Sequence, residues 1–448
     1  MVPRFRTAAA LGILLALSGC KPPEEANVTA IIGAVLIDGN GGAPISDSVV
    51  VVAGSRIVAA GSRTNVTIPA SSEKIDGRGK FLLPGLVDMH VHLGTSAKPA
   101  FSAAEYTKER IEQNLRAYLY YGITTVRSVG TERDAGFAVR KAQREGLLDG
   151  ARLFTAGRGF TAPGGHPRIP GLGEILRQPA TPEDARREVG ELASQNADLI
   201  KIWVDDIGGS RPKIKREVIE AILEEARVHK IPVVAHIQSL ADTEHLVQNG
   251  AAGILHMVRD TENIDPSFLS RLRDLKIVFT PTLVRQELAW LYTDHPERLD
   301  DPDVKRTIED SVIEEVRKVA REAKPSPGGR EDFAIAMRNT KRFAAAGVPI
   351  AVGSDGGSSI DFPGSMTHRE IELLVEAGLS PMDVIVAATR NGGLGLGKLD
   401  EFGTVEPGKR ADVLLVTANP LEDVRNLRRI ERLMQNGVWV DRDALRMK

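Results

Sequence analysis

The chain has 448 residues, 42% of them hydrophobic and 26% charged, which supplies a large core and excludes a disordered chain. Lys and Arg number 58 against 60 Asp and Glu, a net charge of -2, which argues against a nucleic-acid or other polyanionic partner. This length accommodates an α/β barrel of about 250 residues and a smaller companion domain.

Residues 1–20 read as a lipoprotein signal peptide. Arg4 and Arg6 make a basic start, and residues 8–17 form an apolar run too short to span a bilayer stably. Leu17-Ser18-Gly19-Cys20 resembles a bacterial lipobox, in which Cys20 is lipidated and becomes the new N-terminus; an ordinary signal peptide with an incidental cysteine is the alternative. Cys20 is the only cysteine, so no internal disulfide and no thiolate metal ligand is expected. Lys21 follows it, which favours an exported protein lipid-anchored at the periplasmic face of the outer membrane if the host is Gram-negative.

Residues 21–27 read as a polar tether. Short alternating runs follow at 30–37, 48–52, 56–61 and 73–83, punctuated by Gly39-Asn40-Gly41-Gly42 and Gly54-Ser55, the pattern of strands joined by tight turns. Similar runs return at 411–416 and 433–440. Between them strands alternate with helices, which implies a parallel sheet. Strands are expected at 85–92, 124–128, 153–156, 199–204, 233–236, 253–256, 278–282 and 349–353. The stripe Val218, Ile219, Ile222, Leu223 and Ala226 predicts a helix over 215–229, and another is expected over 240–248. The expected fold is therefore α/β: a (β/α)8 TIM-like barrel over 84–402, inserted into a small β-sandwich domain built from both termini, 28–83 and 403–448. The charged segment 296–330 is expected to hold a helix and a mobile loop, with a lid role left open.

Four of the nine histidines, His90, His92, His236 and His256, fall at predicted strand ends. In Val87-Asp88-Met89-His90-Val91-His92 the period of two puts both imidazoles on one face, either as a metal clamp or as two structural histidines. His236 and His256 are separated by 256 − 236 = 20 residues, room for one short helix and one strand. Both then lie at the same end of adjacent strands, where barrel chemistry collects. Asp355 ends the last apolar strand and, by itself, could equally be a helix cap. Lys201 lies inside the apolar run Leu199-Ile200-Lys201-Ile202-Trp203. A buried ammonium is costly unless paired. Either it pairs with an acid, or burial lowers its pKa and the neutral amine adds carbon dioxide, giving a carbamate able to bridge two metals.

The set His90, His92, Lys201, His236, His256 and Asp355, with Leu83-Pro84-Gly85 before it and Gly403-Thr404-Val405-Glu406-Pro407-Gly408 after it, resembles the binuclear, carboxylated-lysine type of the amidohydrolase superfamily. Gly157-Arg158-Gly159, Gly164-Gly165-His166 and Thr367-His368-Arg369-Glu370 resemble its imidazolonepropionase- and prolidase-like branch, and Lys201 favours the prolidase-like members. The resemblance implies two divalent metal ions, zinc first, with manganese, cobalt or iron as alternatives. His90, His92 and Asp355 would hold the more buried ion, His236 and His256 the more exposed one, and carbon dioxide as a carbamate on Lys201 would bridge them. Asp355 would be the catalytic general base and acid, and His166 would bind the substrate or the oxyanion unless it is a surface-loop histidine. The implied activity is hydrolysis of a C–N amide bond in a dipeptide or N-acyl amino acid. A lactonase or phosphotriesterase on the same site, or a non-catalytic binding lipoprotein, are the other readings, and a homo-oligomer is left open. Asp88 is expected on the face of His90 and His92, orienting an imidazole. Asp205 and Asp206 have no assigned role.

Other signals are set aside. Gly392 to Lys398 nearly fits a phosphate-binding loop, but Leu399 stands where Ser or Thr is needed. His229, His245 and His295 are expected to be solvated, and His368 structural.

Overall fold

The computed structural model describes residues 28–94, 106–167, 175–323, 328–357 and 360–447. The expected signal peptide, tether and lipidation site Cys20 lie outside the described residues. The strands are, in order, β1 (Val28–Ile32), β2 (Val35–Leu36), β3 (Ser48–Ala53), β4 (Arg56–Ser62), β5 (Glu73–Asp76), β6 (Phe81–Pro84), β7 (Leu86–Val91), β8 (Ile123–Ser128), β9 (Arg152–Thr155), β10 (Ile200–Trp203), β11 (Val233–His236), β12 (Gly253–Leu255), β13 (Val278–Thr280), β14 (Val413–Val416), β15 (Ile430–Gln435) and β16 (Val438–Trp439).

Both ends of the chain contribute to one apolar core. β4-β3-β1-β5 forms one sheet, and β16-β15-β14-β6-β2 forms another that joins early to late strands. Ile31, Val50 and Ile75 of the first pack with Leu82, Val413 and Met434 of the second. Two expected single runs are split. Residues 73–83 break at Gly77 to Gly79, so β5 and β6 enter different sheets. Residues 433–440 fold back as a hairpin at Asn436 and Gly437, both with positive φ, as a tight two-residue turn requires.

The central strands β7-β8-β9 and β10-β11-β12-β13 are parallel. They are buried along their length, apart from the first residue of β9. That is why they read as near-continuous apolar runs. Phe160 joins the two sheets by accepting from the Trp203 amide and donating to the Lys201 carbonyl, each at 2.8 Å. On the other side residues 349–356 bridge β13 to β7 through Ala351 N to Phe279 O, Met89 N to Val352 O and His92 N to Gly356 O. The expected strand at 349–353 is thus only this seam, held by isolated bridges of Ile350 to Phe279 and Gly356 to Val91. Gly353 lies so close to His90 and Thr280 that a Cβ there would meet Thr280 Cγ2 at 2.3 Å.

Helices pack around these strands. Arg216–Val228 buries the expected stripe, Val218, Ile219, Ile222, Leu223 and Ala226. Leu240–Gln248 starts at Ser239, whose hydroxyl accepts from the Asp242 amide. The expected helix is present as three, Pro296–Asp300, Pro302–Thr307 and Asp310–Glu322, while residues 324–327 of the segment, where the loop was expected, lie outside the described residues. Val304, Val312, Ile313 and Val316 sink into the main core, which anchors these helices.

Candidate active site

Strand alternation stacks side chains in layers. Leu199, Val234 and Leu255 form one apolar layer with Val129 and Ala156. Two residues on from Leu199, Lys201 shares its face, and Trp203 follows; His236 stands in the same way above Val234. Two site residues depart from simple alternation. His256 follows Leu255 directly, yet its backbone is left-handed (φ 68), and Asp355 is left-handed as well (φ 63). Non-glycine residues adopt this region rarely, and such strain gathers at functional sites. β7 is also irregular: its ladder with β8 shifts register between Asp88 and Val91.

These elements bring the imidazoles together. Ring centroids lie 5.3 Å apart for His90 and His92, 5.0 Å for His90 and His256, 4.2 Å for His236 and His256, and 5.3 Å for His166 and His236. Asp355 Oδ1 is 3.2 Å from His90 Nε2 and 2.9 Å from His92 Nε2, and Oδ2 is 3.9 Å from His256 Nε2. Lys201 is fully buried, its Nζ 4.7 Å from the centre of the Trp203 ring. All but Lys201 line one cavity of about 520 Å³.

The donor set suits metal ions. Two groups, His90, His92 and Asp355, and His166, Asp205 and His236, each present ligand atoms within 4.8 Å of one another. His90 Nε2, His256 Nε2 and Lys201 Nζ are buried without a hydrogen-bond partner among the described residues; His90 Nε2 is near Asp355 but lacks hydrogen-bonding geometry. Buried polar atoms left unpartnered are costly, and a cation would satisfy the imidazoles. Burial pushes His90 and His256 well below the usual imidazole range and His236 down to about 3, so all three are neutral, the form that ligates. Burial lowers His166 too. Burial brings Lys201 down to about 7, with Asp355 opposing and Arg127 assisting. Burial acts to raise Asp355, but the His90, His92 and His256 rings overcome it and hold the carboxyl well below the usual range.

The second layer of contacts was mostly invisible in the sequence. His92 Nδ1 lies 3.0 Å from Thr131 Oγ1, and His256 Nδ1 contacts Thr282 Oγ1. His236 Nε2 lies 3.1 Å from Asp205 Oδ2, which places one of the two unassigned acids at the site. Asp206 instead accepts from the Gly209 amide in an exposed turn. The expectation for Asp88 is corrected. Its carboxylate accepts from Ser354 Oγ at 2.7 Å, Thr367 Oγ1 at 2.6 Å and the His90 and Ser354 amides, so it ties β7 to the Asp355 segment and touches no imidazole. The motif at 367–370 is a set of staples: His368 Nε2 meets the Tyr121 carbonyl, Arg369 forks onto Glu287, and Glu370 accepts from the Val284 amide. Outside the site, His229 and His295 are solvated beside Glu225 and Glu297, whereas His245, expected to be solvated, is largely buried with Nε2 3.6 Å from Glu220; the Gly392 region overlaps the helix Arg390–Gly395, where Gly392 abuts Val87.

Residues 81–440 match the model of the amidohydrolase family. The chain belongs to the amidohydrolase family. This amidohydrolase is a hydrolase acting on carbon–nitrogen bonds, built on a TIM-barrel-like α/β domain. It is 24% identical to an imidazolonepropionase of Streptomyces griseus over 84% of this chain and 86% of that one. A structure from Bifidobacterium longum assigned provisionally as a prolidase superposes with a TM-score of 0.74 at 27% identity, covering 94% of this amidohydrolase and 98% of that chain. A Xaa-Pro dipeptidase with bound methionine gives 0.73 at 24% identity, over 92% of this chain and all (100%) of that one, which is a likeness of fold.

Proposed function

We propose that this amidohydrolase cleaves the amide bond of a dipeptide or N-acyl amino acid, using two divalent cations, zinc first, held by His90, His92, His236, His256, Asp355 and a carbamate on Lys201. The observation that carries the reading is the convergence of four buried imidazoles and Asp355 in one cavity, beside a buried lysine amine with no hydrogen-bond partner among the described residues. The neutral amine adds carbon dioxide, forming the N–C bond and releasing one proton, and the cation becomes an oxygen anion. When bound, the metal ions supply Lewis acidity toward the amide carbonyl and acidify water. Asp355, ionised, takes the proton of the attacking water and returns it to the leaving nitrogen. His166, beside His236 at the cavity wall, donates to the oxygen that gains charge. Asp205 orients the His236 ring through Nε2.

The architecture that goes with this reading is an eight-membered closed barrel, with the segment at 349–356 as its last stave, and a β-sandwich formed by the two terminal sheets. Lipidation at Cys20 would hold the protein on a membrane; Cys20→Ser should move it from the membrane pellet to the soluble fraction. Zinc-loaded protein assayed on dipeptides, N-acyl amino acids, lactones and phosphotriesters tests the activity. Turnover confined to lactones or phosphotriesters would replace the amide reading, and none at all would leave a binding protein.

A further inference from the structure

The cavity contains a guanidinium that the chemistry above does not use. Arg259 lies three residues beyond His256, where its amide donates to the Gln238 carbonyl at 3.1 Å. Its side chain is only 15% exposed and lines the cavity wall. Its nearest charge is Asp205, with Nη2 3.9 Å from Oδ2, too far for a hydrogen bond. Asp205 is already engaged: Oδ1 accepts from the Ile207 amide at 2.8 Å and Oδ2 faces His236 Nε2. Among the described residues no hydrogen bond leaves the Arg259 guanidinium, a group with five donors in a fixed fork. The other cation of the cavity differs. Arg285 is 40% exposed and sits 3.6 Å from Asp355. The rest of the wall holds Trp203, Leu288, Trp290 and Ile360, with Gln286 and Asp332 among its polar members.

We infer that Arg259 is a carboxylate-binding residue, and that its fork receives the α-carboxylate of the leaving amino acid in a substrate with an apolar side chain. Arg259 is separated from the His236 ring by a single carboxylate, at 3.9 and 3.1 Å. In an N-acyl amino acid or dipeptide the α-carboxylate lies one residue, roughly 3.5 Å, beyond the scissile carbonyl. An arginine fork pairs with a carboxylate through two parallel hydrogen bonds and has no such match in a neutral amide. Asp205 has two tasks here: it holds Arg259 toward the cavity and turns His236. The assignment rests on the amide-hydrolase reading and adds the residue that recognises the free carboxylate next to the cleaved bond.

The test uses zinc-loaded full-length protein and N-acetyl-L-leucine, N-acetyl-L-phenylalanine and L-alanyl-L-leucine, each beside its C-terminal carboxamide. Wild type is expected to prefer the acids by about 100-fold in kcat/KM, the scale of losing one partner of a buried charge pair. In Arg259→Met the preference should fall below about 3-fold, the loss on the acids lying mainly in KM, and Arg259→Lys should recover part of it. Retention of the preference in Arg259→Met, or its collapse in Arg285→Met but not Arg259→Met, would overturn the assignment. An equal loss on acids and carboxamides would overturn it too. If wild type cleaves no amide in the set, the amide reading falls, and the Arg259 assignment with it.

Discussion

Replacing Lys201 by methionine separates its cost from its use. Methionine keeps the length of the chain beside Trp203 but can neither ionise nor carry a carbamate. Lys201 has an ordinary pKa of 10.5 and stands at about 7 in its buried place. At pH 7.5 an ordinary lysine is neutral about one time in a thousand; at the lowered value it is neutral about three-quarters of the time. Burial therefore raises the reactive amine several hundred-fold. The same shift costs stability. Holding the amine in the folded chain at pH 7.5 costs about 4 kcal/mol, at about 1.4 kcal/mol per pKa unit. For a lysine with a depressed folded pKa, the unfolded chain carries the extra proton between about pH 7 and 10.5. The stability of metal-free wild type should therefore rise with pH across that window. Thermal unfolding of chelated, bicarbonate-free protein should place Lys201→Met several degrees above wild type at pH 7.5, with the gap closing toward pH 10. In the presence of zinc and ¹³C-bicarbonate, wild type should show a carbamate carbon signal and two bound metal equivalents. The variant should show no carbamate signal, fewer than two equivalents and at least a 100-fold lower turnover. Parallel pH–stability curves would refute the cost, and two metals with full turnover in the variant would refute the use.

Asp355→Asn should keep most of the metal and lose at least about 1000-fold in kcat, because an amide oxygen can still ligate but cannot take a proton; metal analysis beside turnover decides, and undiminished activity would remove Asp355 as base. His236→Ala should lose the more exposed metal first, read as one equivalent released at a chelator concentration that wild type withstands; two equivalents retained would count against this ligand.

Much of this protein was legible in one sequence because its central strands are short, parallel and buried, so apolar runs and their spacing marked them. The H-x-H of β7, the 20-residue interval between His236 and His256, and the lysine inside an apolar strand are one-dimensional signals of a shared strand end. Some features left no such signal. By alternation His256 should face away from Leu255, and only a left-handed backbone turns it to the cavity. By the same rule Asp88 should meet the His90 and His92 imidazoles, but its carboxylate is taken up by Ser354 and Thr367.

Periodicity by itself marked the central strands β7 to β13 and the helices near 215–229 and 240–248, because burial imposes a local repeat on the chain. The tertiary structure alone decided that residues 349–356 serve as a seam, that Asp205 meets both His236 and Arg259, and that the charged helices at 296–322 are anchored in the core. Those outcomes depend on contacts between residues distant in sequence and on single backbone dihedrals, neither of which leaves a repeat to be read.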